Sequence, residues 1–310
     1  MSDFRRLQLL LELSQRGTIS AVAAAMSYST SGISQQLATL EAELGARLLE
    51  PDGRRLKLTP AGRALVSRIP QILENWESAR AATLRGSQEL AGKLRIAVFQ
   101  TAYLSLVPGL VRELSVRHPR LELHTTQAEE DVAIPAVLSR ELDAAIIEQY
   151  PAFPGPQHQE LHRRHISNDP MLLAPPMGDT TKIENLASLS EASWVLEPSG
   201  SAVRDWAEAL CRQSGFEPRV VFETSDVLTQ VELVREGLAA AFVPTLMPER
   251  LRSGITVQTL QGQSRTIELV TRASRQDDPL FEALAEVLVI NDGLGSAVHE
   301  ETQSERISRA

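Results

Sequence analysis

The sequence predicts an α/β protein headed by a small helical module. Three observations carry this. Residues 3–44 fall into three short helical periodicities, a basic stretch of period two follows at 54–58, and from Gly92 onward strands alternate with helices. The length of 310 residues suits about two domains with a sizeable core.

Phe4, Leu7, Leu10, Leu11 and Leu13 recur at helical spacing, and Gly17 supplies the stop. Thr18 or Ser20 caps a second short helix, AVAAAM, and the polar stretch Ser27–Thr30 breaks the pattern. In the third helix Ile33, Leu37, Leu40 and Leu44 share one face, and Gly45 ends it. RRLKL then alternates basic and apolar residues as a short strand does. Two helices, a turn between them and a basic strand are the order of a winged helix-turn-helix.

Thr59-Pro60 starts a long helix, with Thr as cap and Pro in the first helical position. Leu65, Ile69, Ile72, Trp76, Ala79 and Thr83 form a heptad seam, which one helix cannot bury alone. It packs either on a second copy of the chain or on the chain's own second domain. Pro70 lies inside this stretch and predicts a bend near residues 66–70.

Beyond Gly92 the strands read as Leu94–Phe99, Leu121–Gln127, Ala144–Glu148, Met171–Ala174, Trp194–Glu197, Val220–Thr224, Ala240–Val243 and Ile267–Thr271. Helical patterns fall near 105–117, 132–140, 201–214, 226–236 and 279–290. This is α/β texture with mostly parallel strands, as one large sheet or two smaller lobes. The polar tail, residues 293–310, reads as frayed.

Composition excludes several classes. A single cysteine, Cys211, rules out an internal disulfide and a four-thiolate zinc site. No apolar run reaches about 18 residues, so no membrane partner is expected. The N-terminus is charged and helix-periodic without an export signal, which makes the cytoplasm the default location. Residues 1–90 carry net +2 within a chain of net −9. A small polyanion-binding module on an acidic body fits that split.

The third helix presents Ser31, Gln35, Ala38 and Thr39 opposite its apolar face, with Ser34 on the flank and Thr30 at the N-terminal end. No charge falls between Ser29 and Leu40, whereas a merely solvated face normally carries Lys and Glu. Such a surface can enter a major groove, and Gln can pair with an adenine edge. Arg54, Arg55 and Lys57 on the wing would contact phosphate. Arg5 and Arg6 are weaker candidates.

The stretch ISAVAAAMSYSTSGISQQLATLEAELGARLLEPDGRRLKLTPAG, residues 19–62, resembles the N-terminal signature of LysR-type transcriptional regulators. The likeness rests on the L-E-x-E-L-G end of the third helix, the L-x-x-x-x-R-R wing and the T-x-x-G start of the linker helix. It extends over about residues 3–290. The resemblance implies a winged helix-turn-helix (1–58), a linker and dimerisation helix (59–90), and a two-lobed effector domain like periplasmic binding proteins (91–292). Lobe I would comprise about 91–166 and 268–292, and lobe II about 167–267. The implied partners are double-stranded promoter DNA, a small-molecule effector and further copies of the chain, as homodimer or homotetramer. Thr30-Ser31 stand where members often carry Gln-Pro, Gln35 where many carry Arg, and Leu49 where the wing usually has Phe.

In a two-lobed binding fold, ligand sits between lobes at strand C-termini and helix N-termini. Three places fit: Gln100-Thr101-Ala102, Pro198-Ser199-Gly200-Ser201 and Thr224-Ser225. The family binds effectors at corresponding places. Their hydroxyls serve equally well as ordinary helix caps. Glu148 faces the cleft or lies on its rim, and Phe242 lines the cleft or fills the core. The helix starts point to an anionic ligand. The lobes should be joined by two crossovers, near Ser167–Pro170 and Ser264–Ile267.

His158, His162 and His165 have metal-like spacing, but PAFPGPQ before them reads as a loop and no further ligand completes a set. No metal is expected. Cys211 reads as a buried structural thiol rather than a peroxide sensor. No P-loop, dinucleotide fingerprint, H-E-x-x-H or nucleophile elbow occurs, so no cofactor and no enzyme activity is expected. An enzyme would need an acid–base or nucleophile set in the cleft, and a solute receptor an export signal.

Overall fold

The computed structural model describes residues 3–26, 28–52, 55–84, 90–150, 152–153, 155–178 and 185–289. The chain divides into two units, Met1–Gly86 and Ser87–Ala310. Arg54 and the tail 293–310 lie outside the described residues.

In the first unit, α1 (Asp3–Arg16) stops at Gly17, whose φ of +75° favours glycine. Thr18 caps α2 (Ile19–Met26), its Oγ1 accepting from the Ala21 amide at 3.2 Å. Ser29 caps α3 (Thr30–Leu44), accepting from the Gly32 amide at 3.1 Å. Gly45, at φ +63°, closes α3, and the Ala46 amide returns to the Glu41 carbonyl at 3.2 Å. Leu9, Leu10, Val22, Ile33, Leu37 and Leu40 anchor one core cluster, each contributing about 1.5–3 kcal/mol by burial. Leu44, expected to face inward, is half exposed. It shares the stripe by angle but sits one turn beyond Leu40, outside that cluster.

The wing is the antiparallel pair β1 (Leu49–Asp52) and β2 (Arg55–Leu58), in register Leu49↔Leu58 and Glu50↔Lys57. Glu41 ties it to α3: one carboxylate oxygen accepts the Leu48 and Leu49 amides at 2.7 and 3.0 Å. Thr59 then caps the next helix, accepting from the Gly62 amide at 3.0 Å while its hydroxyl donates to the Arg47 carbonyl at 2.7 Å.

The linker is two helices rather than the one expected. α4 (Pro60–Val66) and α5 (Ile69–Leu84) are separated by a turn at Ser67-Arg68, so the bend falls inside the expected window. Pro70 is the second residue of α5 and not an interior proline. Its missing N–H would have no intrahelical partner there and costs little. Of the heptad seam, Ile69 is buried and Leu65 and Ile72 are half-buried, while Trp76, Ala79 and Thr83 are exposed. The Trp76 ring stacks one face on Phe4, with centroids 4.3 Å apart.

The second unit is built on a six-stranded sheet of order β4-β3-β5-β10-β6-β9. β3 (Ala91–Val98) runs parallel to β4 (Arg120–Gln127) and β5 (Ala144–Gln149), with α6 (Gln100–Ser105), α7 (Val107–Arg117) and α8 (Glu130–Leu138) in the connections. β6 (Leu161–Ala174) and β10 (Gln258–Arg272) are much longer than the strands the sequence suggests. They pair antiparallel through both expected crossovers: Ser264 faces Pro170, and Ile267 faces Ser167. The crossovers are therefore one continuous ribbon linking the lobes.

In the second lobe β7 (Ser193–Leu196) and β8 (Arg219–Glu223) pair in parallel, and a bridge from Trp194 to Ala240 joins them to β9 (Ala241–Pro244). α9 (Ala202–Gln213) and α10 (Val227–Arg235) pack there, and the final helix, α11, spans 279–289. Phe242 lies tilted against Trp194 at 5.0 Å and edge-on to Trp206 at 5.1 Å in this lobe's core.

Gly62 carries one consequence for stability. A Cβ there would meet the Leu48 carbonyl oxygen at 2.2 Å, whereas at Gly17 it would meet nothing within 4 Å. Gly62→Ala is expected to destabilise the first unit by about 2 kcal/mol or more, and Gly17→Ala by about 1 kcal/mol through its backbone angle alone. Denaturant unfolding followed by circular dichroism separates the two; equal losses would contradict the close approach.

Candidate functional site

Two surfaces emerge, one in each unit. On α3, Thr30, Ser31, Ser34 and Gln35 are exposed and Thr39 is half-buried. Ser34 Oγ donates to the Thr30 carbonyl at 3.0 Å, and Thr39 Oγ1 to the Gln35 carbonyl at 2.9 Å. Their oxygens remain open as acceptors. The Gln35 amide has no hydrogen-bond partner among the described residues, which leaves both its donor and acceptor ends outward.

On the wing, Lys57 lies 3.5 Å from Glu50, and both side chains are about half exposed. Arg55 opens β2. Arg6 is buried and bonded to Glu43 at 2.7 Å, which makes it a structural residue. Arg5 donates to Gln8 at 2.8 Å and lies over the Tyr28 ring.

The second surface is a cavity between the lobes of the second unit, about 560 Å³ with its open mouth included. Arg265, 3% exposed, forms its floor. The guanidinium reaches Asp169 at 2.8 Å, Thr101 Oγ1 at 2.6 Å and the Glu148 carboxylate, and it lies over the Phe99 ring. Tyr150 donates its hydroxyl to Glu148 at 3.3 Å. Glu129 and Glu197 line the walls with Gln230 and an apolar face that includes Leu196, Val203 and Phe242.

Crowded carboxylates dominate the electrostatics. Burial, then Glu148 and Glu129, push the Glu197 carboxyl up to about 8, against a hydrogen bond from Ser201. Burial and Glu148 push Glu129 up to about 7. Burial raises the Glu148 carboxyl too, and Arg265 opposes that rise. Arg265 itself stays charged: burial works against the charge, but Glu148, Tyr150 and Asp169 outweigh it.

Of the residues read from the sequence, Gln100, Thr101, Glu148, Ser225 and Phe242 line the cavity. Phe242 satisfies both of its readings, since it also packs on Trp194 and Trp206. Ala102 is fully buried behind Thr101. Pro198, Ser199 and Gly200 lie off the lining. Ser201 and Thr224 cap backbone amides, accepting from Arg204 and Asp226 at 3.2 and 3.1 Å. The helix starts that pointed to an anion are thus partly filled, by Ser201 at α9 and by Asp226 at α10. Gln100 clasps the second lobe, donating to Asp226 Oδ1 at 2.8 Å and accepting the Val227 amide at 3.0 Å.

Sequence reasoning missed Glu129, Tyr150, Asp169, Glu197, Gln230 and Arg265. Asp169 and Arg265 fell inside the expected crossovers, and Glu197 closed an expected strand. Glu129 carried no local signal.

His162 and His165 sit on β6, three residues apart and hence on opposite faces, with His158 in the preceding turn. Cys211 is fully buried, and burial pushes its thiol up to about 12.

Comparisons with known proteins match both units of the chain. The model for bacterial regulatory helix-turn-helix proteins of the lysR family matches residues 4–63, and the LysR substrate binding domain matches residues 87–291. The HTH-type regulator YfeR of Shigella flexneri is 25% identical, covering 92% of this chain and 93% of its own. A probable hydrogen peroxide-inducible genes activator of Mycobacterium avium is 26% identical, covering 90% and 91%. A full-length OxyR variant from Pseudomonas aeruginosa shares the fold at a TM-score of 0.66 with 22% identity, covering 93% of this chain and 95% of that one.

A carboxyl group raised in the folded state holds its proton after the unfolded chain has released it, so stability falls as pH rises from the usual carboxylate range to about 8. Glu197→Gln removes this loss. Its melting temperature is expected to exceed that of the parent at pH 8, by the equivalent of about 1 kcal/mol or more, and to fall less between about pH 5 and 8. Parallel melting profiles for the two proteins would contradict the raised carboxyl.

Proposed function

This chain belongs to the LysR family of bacterial helix-turn-helix transcriptional regulators, and from that we propose how its residues divide the work. The outer face of α3 reads base edges in the major groove through Thr30, Ser31, Ser34, Gln35 and Thr39. Arg54, Arg55 and Lys57 on the wing hold phosphate and set the register. The observation that carries this is the uncharged outward face between Ser29 and Leu40 on a helix pinned from behind by its core and by Glu41. The working boundaries are 1–58 for the reading head, 59–90 for the linker and 91–292 for the effector domain.

The exposed end of the α5 seam, at Trp76, Ala79 and Thr83, fits a second copy of the chain. Two copies double the phosphate contacts on one operator. The cavity above Arg265 takes a small-molecule effector, with Gln100, Thr101, Glu148, Ser225 and Phe242 facing it. Effector binding shifts the balance between arrangements of the dimer by its differential affinity for them. Some relatives are named as peroxide-inducible activators. The buried Cys211 thiol does not fit that mode, because raised to about 12 it supplies almost no thiolate near neutral pH. Regulators of this family are not enzymes, and no catalytic role is assigned to the cavity's carboxylates. The protein acts where promoter DNA is, in the cytoplasm.

Binding to its own upstream promoter fragment, measured over a salt series, tests this reading. Lys57→Ala is expected to weaken all sequences alike and to flatten the salt slope by about one. Gln35→Ala is expected to relax preference at one base position by about 1–3 kcal/mol. An unchanged slope for the first, or uniform weakening for the second, would contradict the assigned roles.

A further inference from the structure

We propose that the inter-lobe cavity selects an organic cation, a primary amine or guanidine on an apolar body, held by Glu197 and the Gln230 side-chain oxygen. This rests on the reading of the cavity as the effector site and specifies its ligand. Most side-chain donors at the site are engaged within the protein, the Ser225 hydroxyl excepted. Arg265 gives its N–H groups to Asp169 at 2.9 and 2.8 Å, to Thr101 at 2.6 Å and to Glu148. Gln100 uses both ends of its amide on Asp226 and Val227. Tyr150 donates to Glu148.

The acceptors are what remain. Gln230 is 7% exposed, lines the cavity, and gives its NH2 group to the Thr224 carbonyl at 2.8 Å. Its oxygen has no partner among the described residues. Because Nε2 faces a carbonyl, the amide orientation is fixed, and the oxygen stays free to accept. Glu197 accepts from Ser201 and lines the cavity beside Gln230. Glu129 adds a third carboxylate to the lining with Glu148. A ligand rich in donors satisfies these groups, and a cation opposes the burial and carboxylate crowding that raise the Glu129 and Glu197 carboxyls, whereas a carboxylate ligand adds to that crowding.

A metal ion does not answer the same need. Among the described residues no three His, Cys, Asp or Glu side chains converge to hold one. The carboxyl groups are spread over the walls, beside the apolar face of Leu196, Val203 and Phe242. That combination suits a cation carried on hydrocarbon.

Calorimetric titration of the full chain with matched probes tests this: phenethylamine and agmatine against 3-phenylpropanoate and glutarate. The amines are expected to bind saturably and the acids not. Glu197→Gln, an isosteric change, is expected to weaken the amines about tenfold or more, with an unaltered circular dichroism spectrum. Acids binding in preference to amines, amines unaffected by Glu197→Gln, or neither class binding at millimolar concentration would each overturn the proposal. The cavity's role as effector site is read separately with Val203→Trp, which fills it. If a metabolite extract still changes the promoter footprint of that folded variant, the effector-site reading fails as well.

Discussion

The elements around the cavity converge on a buried cation, Arg265. Arg265 lies midway along the β6–β10 ribbon, opposite Asp169. Its partners come from β5 through Glu148, from β6 through Asp169 and from α6 through Thr101. Asp169 in turn accepts the Thr245 hydroxyl at 2.6 Å and the Leu246 amide at 2.7 Å, just beyond β9. A buried charge is tolerable only when paired and hydrogen-bonded, and removing one partner costs about 3–5 kcal/mol. The cluster therefore constrains where the lobes meet, and the cavity is the space left above it.

The first unit solves a different problem. Its reading helix must offer an outer surface free to match DNA, so its position has to be fixed entirely from behind. Ile33, Leu37 and Leu40 do this by burial, and Glu41 does it by holding the wing's amides. Thr59 and Gly62 then clamp the wing's start to the linker, with backbone approaching too closely for any side chain at 62. None of these contacts uses the outward face, which leaves its sequence free to vary with the operator.

Much of this was legible in the sequence because it depends on local chemistry. Caps at Thr18 and Thr59 and stops at Gly17 and Gly45 are decided within a few residues. The split at Ser67-Arg68 follows from Pro70, although one proline could not reveal that it starts a second helix instead of bending the first. The cavity was legible only in part. Gln100, Thr101 and Ser225 follow strand ends, which periodicity marks. Arg265 and Asp169 are separated by 96 residues and are brought together by antiparallel register, which no local pattern encodes. The sign of the cavity's charge was invisible for the same reason: Glu129, Glu148 and Glu197 come from separate segments.

The placement of the three tryptophans has a practical result. Trp76 is half exposed and stacked on Phe4 in the first unit, while Trp194 and Trp206 are buried in the second lobe's core beside Phe242. Water-facing and buried indoles emit at different wavelengths. The intrinsic fluorescence of the protein thus contains two spectrally distinct reporters, a red one on the linker and a blue one near the cavity wall. Quenching by iodide reaches the first and spares the second, so subunit pairing and ligand occupancy can be followed in one cuvette without an added dye.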